Sequence, residues 1–287
     1  MDLQATHDRQ PAPRIHDEAE LRRIARNLRK QVIRMVARNG RGYVQQGLGA
    51  ADIFALLYFS ELRLDTGDPD WADRDRMVLS MAHNSALFHA TLAERGLIPD
   101  NALETYCRDG SSLEINCSER LGTLVEASCG SLGQGLSVAV GMAASAKRRG
   151  TGQRFYVVLG DGELQEGQVW EAAMAAAHLR LDNLCLIIDY NAMQVEGSSS
   201  KVMDMEPAAA KWRAFGWQVC DIDGNDIAAL KASFDLARGC SGQPTCIVAR
   251  TLVGKGVSEL EGIFSHTLKM PQDTAARALA ELEEQAA

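Results

Sequence analysis

No two cysteines of the 287-residue chain stand at C-x-x-C spacing. That removes the usual signature of a zinc ribbon or a redox dithiol. The cysteines, at 107, 117, 129, 185, 220, 240 and 246, are odd in number and scattered. They read as reduced thiols rather than a disulfide framework. A basic block is also missing: 30 Lys and Arg stand against 38 Asp and Glu, a net charge of -8. Nucleic acid and anionic membranes are therefore excluded as expected partners. An anionic ligand would need a local device, either a metal ion or a helix N-terminus. Long apolar runs are absent too. The most apolar stretch, Leu136 to Ala146, is too short to span a bilayer and contains glycine. The polar first twenty residues hold no apolar signal region. A soluble, cytoplasmic protein is expected. No internal repeat or low-complexity segment occurs.

What is present is ample core material, with 46% hydrophobic residues. Residues 1–16, with Pro11 and Pro13, read as a flexible N-terminal arm, and 17–287 as one domain. Leu21, Ile24, Ala25, Leu28, Val32, Ile33 and Val36 recur at helical spacing between Glu18 and Arg38. Glycines at 40, 42, 47 and 49 are then expected to break the chain before a helix over Ala50 to Phe59. A polar loop (65–76), a helix (85–95), a loop-rich stretch (100–129) and a small-residue helix opened by Gly130 to Gly135 follow. Thereafter the rhythm changes. Short apolar strands at 155–160, 183–190, 217–222 and 245–249 alternate with helices, and the chain ends in an amphipathic helix over Gln272 to Gln285. This pattern predicts an α/β fold with a mostly parallel sheet and helices on both faces.

Asp161 falls where one strand ends and Asn191 where the next ends, 191 − 161 = 30 residues later, about one βαβ unit. Right-handed crossover brings both strand ends to one sheet edge, where ligands of open α/β sheets bind. A carboxylate from Asp161, an amide oxygen from Asn191 and the backbone carbonyl of Met193 make three hard oxygen ligands. They leave room for diphosphate oxygens and water around Mg²⁺, with Ca²⁺ or Mn²⁺ also compatible. Gly162, without a side chain, can bring its N–H close to a phosphate. Either residue alone is an ordinary turn residue; the pairing at this spacing favours a metal site.

The run Gly160-Asp161-Gly162 followed by Asn191 is the thiamine-diphosphate motif, and the residues around it resemble the transketolase family. Glu166-Gly167, Glu171, the GSLGQG run from Gly130 to Gly135 and VGMA at 140–143 match its pattern. So do VLSMAHNS at 78–85, DIDGND at 221–226, TLVGKGVS at 251–258 and FSHTLKMP at 264–271. The resemblance covers roughly residues 18–285 and implies thiamine diphosphate as cofactor. It implies that Asp161, Asn191 and the Met193 carbonyl hold the metal. His83, His266, Gly160, Gly162 and Glu163 would then stand on the diphosphate side, and Gly130 and Leu132 near the thiazolium. Glu166 and Glu171 would join a carboxylate network between paired active sites. For the two histidines the plain alternative is a structural role, and for the two glutamates a solvated helix face.

The glutamate that activates the cofactor lies on a second domain in this family. The resemblance is to the first subunit of a split transketolase, so a partner chain carrying the pyrimidine-binding domain is implied, in a heterotetramer acting on sugars or sugar phosphates. Two departures stand out. Tyr43 occupies the place of the histidine in S-G-H-P-G-G, and Asn116 that of the histidine in Q-G-H-P. Neither can shuttle protons near neutral pH as histidine does, which points to a specialised donor. Two other functions fit the motif: a 2-oxo acid decarboxylating or synthase subunit, or a non-catalytic cofactor-binding subunit.

Overall fold

The computed structural model describes residues 12–263 and 269–285. Helix α1 (Glu18–Asn39) buries the apolar stripe read from the sequence. The Asp17 side chain caps it by accepting from the Ala19 N–H at 2.9 Å. Gly40, at φ 67°, ends it in the left-handed conformation that glycine adopts without strain. Ahead of α1, the Ala12 N–H donates to the Leu64 carbonyl at 2.9 Å and the Ile15 N–H to the Phe59 carbonyl at 2.7 Å. The described end of the expected arm is thus anchored to the body; residues 1–11 lie outside the described residues.

Helix α2 (Val44–Leu56) begins earlier than expected, and Gly47 and Gly49 lie inside it instead of breaking the chain. Close approach explains this. A Cβ on Gly47 would sit 3.2 Å from the Val32 side chain, and one on Gly49 3.0 Å from the Leu252 carbonyl oxygen. Each glycine costs about 1 kcal/mol of helix propensity, and tight packing of a wholly buried helix offsets it. The helix runs on into a single π turn, Leu57–Glu61.

The next elements are strand β1 (Arg76–Leu79), helix α3 (Ser85–Glu94), helix α4 (Gln134–Arg149), strand β2 (Phe155–Gly160), helix α5 (Gly167–His178) and strand β3 (Leu184–Tyr190). A small hairpin, β4 (Met193–Gln194) with β5 (Gly197–Ser198), leads into a one-turn helix, α6 (Ser199–Val202). Helix α7 (Ala208–Ala214), strand β6 (Gln218–Asp223), helix α8 (Ile227–Gly239), strand β7 (Thr245–Arg250) and helix α9 (Gln272–Glu284) complete the described chain. The sequence pattern does not reveal β1. At four residues on the sheet's edge it is too short to show a period.

The five-stranded sheet has the order β1-β2-β3-β7-β6, and every pairing is parallel. Alternate strand residues feed opposite faces. Phe155, Val157 and Leu159 enter a core with α4, α5 and α7, while Tyr156 and Val158 enter the other with α1, α2, α3, α8 and α9. Helices therefore cover both faces, as the apolar strands imply.

A buried polar staple fixes α2 against the carboxyl edge of the sheet. Arg29 meets Asp52 at 2.5 Å and donates to the Leu48 carbonyl at 3.0 Å. The Asn225 amide donates to Asp52 and to the Gly49 carbonyl, each at 2.8 Å, and accepts from the Leu252 N–H at 2.9 Å. The DIDGND and TLVGKGVS segments thus meet at one knot. Among the described residues no helix is long and apolar enough to cross a membrane.

Candidate active site

The register sets Gly160 of β2 beside Asp189 of β3, so Asp161 and Asn191 emerge at the same sheet edge. The two loops touch. The Ser199 hydroxyl donates to the Asp161 Oδ2 at 2.5 Å and the Ser199 N–H to the Ala192 carbonyl at 3.1 Å, while the N–H groups of Gly162 and Ala192 lie near enough to favour the charged carboxylate. Ala192 takes the left-handed conformation, φ 58°, which folds the chain tightly between Asn191 and Met193. The Asn191 Oδ1 accepts from the Met193 N–H at 3.0 Å, and its Nδ2 donates to Asp189 at 3.1 Å, which fixes which end of the amide is the oxygen.

Electrostatically this corner is costly in isolation. Burial, with Asp189 adding repulsion, pushes the Asp161 carboxyl up to about 7, against the pull of Ser199 and the two N–H groups. Burial likewise pushes Asp189 up to about 6, although Thr251, Asn191 and Asn84 hydrogen-bond to it. Asp161 lines the cleft, where a cation would stabilise its charged form, whereas Thr251 and Asn191 hold both oxygens of Asp189. Among the described residues no three His, Cys, Asp or Glu side chains cluster as a metal site. A cation held here would use a mixed oxygen set.

An open cleft of about 370 Å³ lies over this corner. The structure brings His83, Gly130, Leu132, Gly160, Asp161, Gly162, Glu163, Glu166, Asn191 and Met193 together along its walls. His266 lies outside the described residues. Tyr43 does not line the cleft; its ring meets the His83 imidazole edge-on, with centroids 4.7 Å apart. Asn116 and Glu171 are exposed and are absent from the lining. The buried histidine near the Asn116 loop is His89, whose Nε2 lies 3.0 Å from the Glu114 carbonyl.

Glu163 lines the cleft, but both its carboxylate oxygens are occupied by the protein. Oε1 accepts from the Ser80 hydroxyl at 2.6 Å and the Gly133 N–H at 2.8 Å, and Oε2 from the Gly160 N–H at 2.8 Å. The side chain expected on the cofactor side thus ties three loops together: the β1 exit, the GSLGQG turn and the β2 exit. That close meeting also explains a glycine, since a Cβ on Gly135 would come within 2.6 Å of the Ser80 Cβ. Gln168 holds the turn from the other side by donating to the Leu132 carbonyl at 2.8 Å.

Several cleft residues escape sequence reasoning: Gln46, Met81, Gln165, Gln194, Val195 and Glu196. The last three belong to the β4–β5 hairpin, whose turn signal, Glu196-Gly197, is visible in the sequence. Gln46 carries no signal among the glycines expected to form a loop.

Residues 21–278 match the family model of the transketolase thiamine-diphosphate-binding domain. The chain belongs to the transketolase family. It is 38% identical over 271 residues to the 6-deoxy-6-sulfo-D-fructose transketolase subunit of Clostridium sp. (strain MSTE9), covering 94% of this chain and 98% of that one. It is 35% identical over 268 residues to an apulose-4-phosphate transketolase subunit of Actinobacillus succinogenes, covering 93% and 97%. The transketolase crystal structure from Campylobacter jejuni superposes with a TM-score of 0.87 at 30% identity, over 93% of this chain but 43% of that one. The chain is thus a thiamine-diphosphate-dependent, transketolase-type transferase subunit, similar in length to the separate subunits and under half as long as the full transketolase.

Proposed function

We propose that this chain is the diphosphate- and metal-binding subunit of a two-chain transketolase that moves a two-carbon ketol unit from a ketose to an aldose. The observation that carries the reading is the shared rim of β2 and β3, where Ser199 joins the two loops, its hydroxyl donating to Asp161 and its N–H to the Ala192 carbonyl beside Asn191. The residues present fit the cofactor. Asp161, Asn191 and the Met193 carbonyl would hold Mg²⁺, with Ca²⁺ or Mn²⁺ satisfying the same oxygen set. The thiazolium supplies a carbon nucleophile and electron sink when bound. Gly130 has nothing within 4 Å of where a Cβ would stand, and at Gly162 only Gln194 comes near, at 3.7 Å, so both leave the cleft open to a ligand. Ser199 would hold Asp161 in place while its other oxygen faces the metal. His83, held edge-on by the Tyr43 ring, offers the cleft an imidazole that can donate or accept a hydrogen bond; His266 is proposed to join it.

The partner is a chain bearing the pyrimidine-binding domain, in a heterotetramer of two copies of each, with Glu166 and Glu171 in contacts between sites. Exposed apolar residues support such docking. Val195, Val202, Met203, Leu252 and Ile263 are uncovered in segments that follow β3 and β7, at the carboxyl edge of the sheet. The relatives act, by their names, on 6-deoxy-6-sulfo-D-fructose and on apulose 4-phosphate; a ketose with an anionic tail is the substrate class proposed here, in the cytoplasm.

Calorimetric titration of thiamine diphosphate with Mg²⁺ into the two-chain complex tests the site. Asp161→Ala is expected to abolish metal-dependent binding. Unchanged affinity would contradict the assignment, and absence of ketol transfer from every ketose donor by a cofactor-loaded complex would contradict the activity.

A further inference from the structure

Gln46 is the one cleft-lining residue, among those described, whose polar group is buried with both ends unused. Its side chain lines the cleft with His83, Gly130 and Leu132, it is 3% exposed, and neither Nε2 nor Oε1 has a hydrogen-bond partner. Such a group is expensive. Leaving an amide buried and unpaired typically costs about 1–3 kcal/mol. Buried polar groups without partners sit where a ligand supplies them.

The two orphaned atoms constrain that ligand. A diphosphate offers acceptors alone; it could satisfy Nε2 and would leave Oε1 facing like partial charge. A group presenting a donor beside an acceptor satisfies both. The hydroxymethyl-ketone end of a ketose does this, with a hydroxyl on one carbon and a carbonyl on the next. Gln46 stands in the first turn of α2, three residues after Tyr43, the extended residue that precedes the helix and whose ring contacts the His83 imidazole. Gln46 and His83 thus share the cleft wall, one from α2 and the other from the turn after β1, with Tyr43 against His83.

We propose that Gln46 is a specificity-determining residue that hydrogen-bonds the ketol end of the donor substrate, its Nε2 donating to the carbonyl oxygen and its Oε1 accepting from the hydroxyl. The inference rests on the transketolase reading of the site above. It accounts for an otherwise unfavourable buried amide as a recognition device, and it makes the protein pay in stability for selectivity.

The test uses Gln46→Leu, close in shape and without the amide, in the cofactor-loaded two-chain complex. Three quantities are read: melting temperature of this chain before loading, affinity for thiamine diphosphate with Mg²⁺, and KM and kcat for hydroxypyruvate and pyruvate, which differ by the hydroxyl alone. The expected result is a melting temperature raised by ~2 °C, because two unpaired polar atoms have gone, and unchanged cofactor affinity. The KM for hydroxypyruvate rises at least ~10-fold, the equivalent of one hydrogen bond to a polar group, and discrimination against pyruvate collapses. A lowered melting temperature with unchanged KM would make Gln46 structural and overturn the proposal. A loss of cofactor affinity with KM unmoved would place the amide on the cofactor and overturn it equally. A wild-type complex that transfers no ketol unit defeats the functional reading itself; wild-type transfer with an indifferent Gln46→Leu variant defeats the Gln46 assignment alone.

Discussion

The Tyr43 ring meets the His83 imidazole edge-on, at 4.7 Å between centroids and 77° between planes. In the family pattern a histidine stands in place of Tyr43, so a phenol here abuts the imidazole that lines the cleft. Edge-to-face contact of this kind is worth about 0.5–1.5 kcal/mol beyond burial. Burial also raises the Tyr43 phenol above its usual range, so it stays protonated through neutral pH. Tyr43 can orient His83 and offer a hydroxyl, and it cannot carry a proton through the reaction.

Replacing Tyr43 separates those two roles. Tyr43→Phe keeps the ring contact, and ketol transfer by the two-chain complex is expected to fall by ~10-fold or less with an unchanged pH profile between 6 and 9. Tyr43→Ala, which also frees His83, is expected to cost more and to alter the profile. Tyr43→His restores a titrating group and is expected to add an acid limb near pH 6.5, the ordinary imidazole value. A Tyr43→Phe variant whose basic limb shifts would show the phenol taking part in proton transfer and would overturn this account.

Glu163 gives a second prediction, because the cleft's shape depends on its three hydrogen bonds to Ser80, Gly133 and Gly160. Glu163→Ala leaves those buried donors unpaired at once and is expected to destabilise the fold by roughly 3–5 kcal/mol. Glu163→Gln keeps the shape but turns one acceptor into a donor facing a donor, and is expected to cost about 1–3 kcal/mol. In both, cofactor affinity should fall with stability, as the loops drift apart. Urea unfolding paired with calorimetric titration checks it; lost affinity at full stability would mean that Glu163 touches the cofactor directly.

The contrast between Glu163 and Asp161 shows what the sequence discloses. Asp161 and Asn191 follow wholly buried apolar strands, whose runs are plain in the sequence, and a crossover of ordinary length fixes their common edge. The parallel sheet, the two helical faces and most helix spans were legible for the same reason: long periodic segments. Three features were not. Gly47 and Gly49 look like chain breakers until one knows that Val32 and the Leu252 carbonyl press on α2. The edge strand β1 is too short for a period, and so the Ser80–His83 turn it delivers to the cleft has no periodic signature. The jobs of Glu163 and Ser199 arise from contacts across 30 or more residues, as from Ser199 to Asp161 or Glu163 to Ser80, which no local pattern encodes. The placing of Asn116 rests on a loop with no periodic frame, and in the structure that residue is exposed.

The buried His89 supplies a pH dependence that does not involve the cleft's carboxyls. Burial pulls its imidazole down to about 4, the Glu114 carbonyl opposing weakly, and its Nδ1 has no partner among the described residues. The ring packs beside Phe88 and Tyr106, with the Cys117 sulfur 3.8 Å from Nε2. Between pH 6.5 and 4 the unfolded chain binds a proton here that the folded protein refuses, so stability from this group is complete above about 6.5 and is lost as the pH falls toward 4. A shift of this size corresponds to roughly 3 kcal/mol. Asp161 and Asp189, pushed up to about 7 and about 6, act in the opposite sense: folded, they hold protons that the unfolded chain releases, so their contribution falls as the pH rises through the same window. The net curve is therefore a difference, and a variant is needed to resolve it. His89→Gln can still donate to the Glu114 carbonyl but does not titrate. Its stability relative to wild type, from urea unfolding at a series of pH values, should be constant above pH 7 and should gain on wild type by about 2–3 kcal/mol between pH 6.5 and 4. Parallel curves for the two proteins across that window would show that His89 is protonated in the folded state and that its burial is less complete than the structure shows.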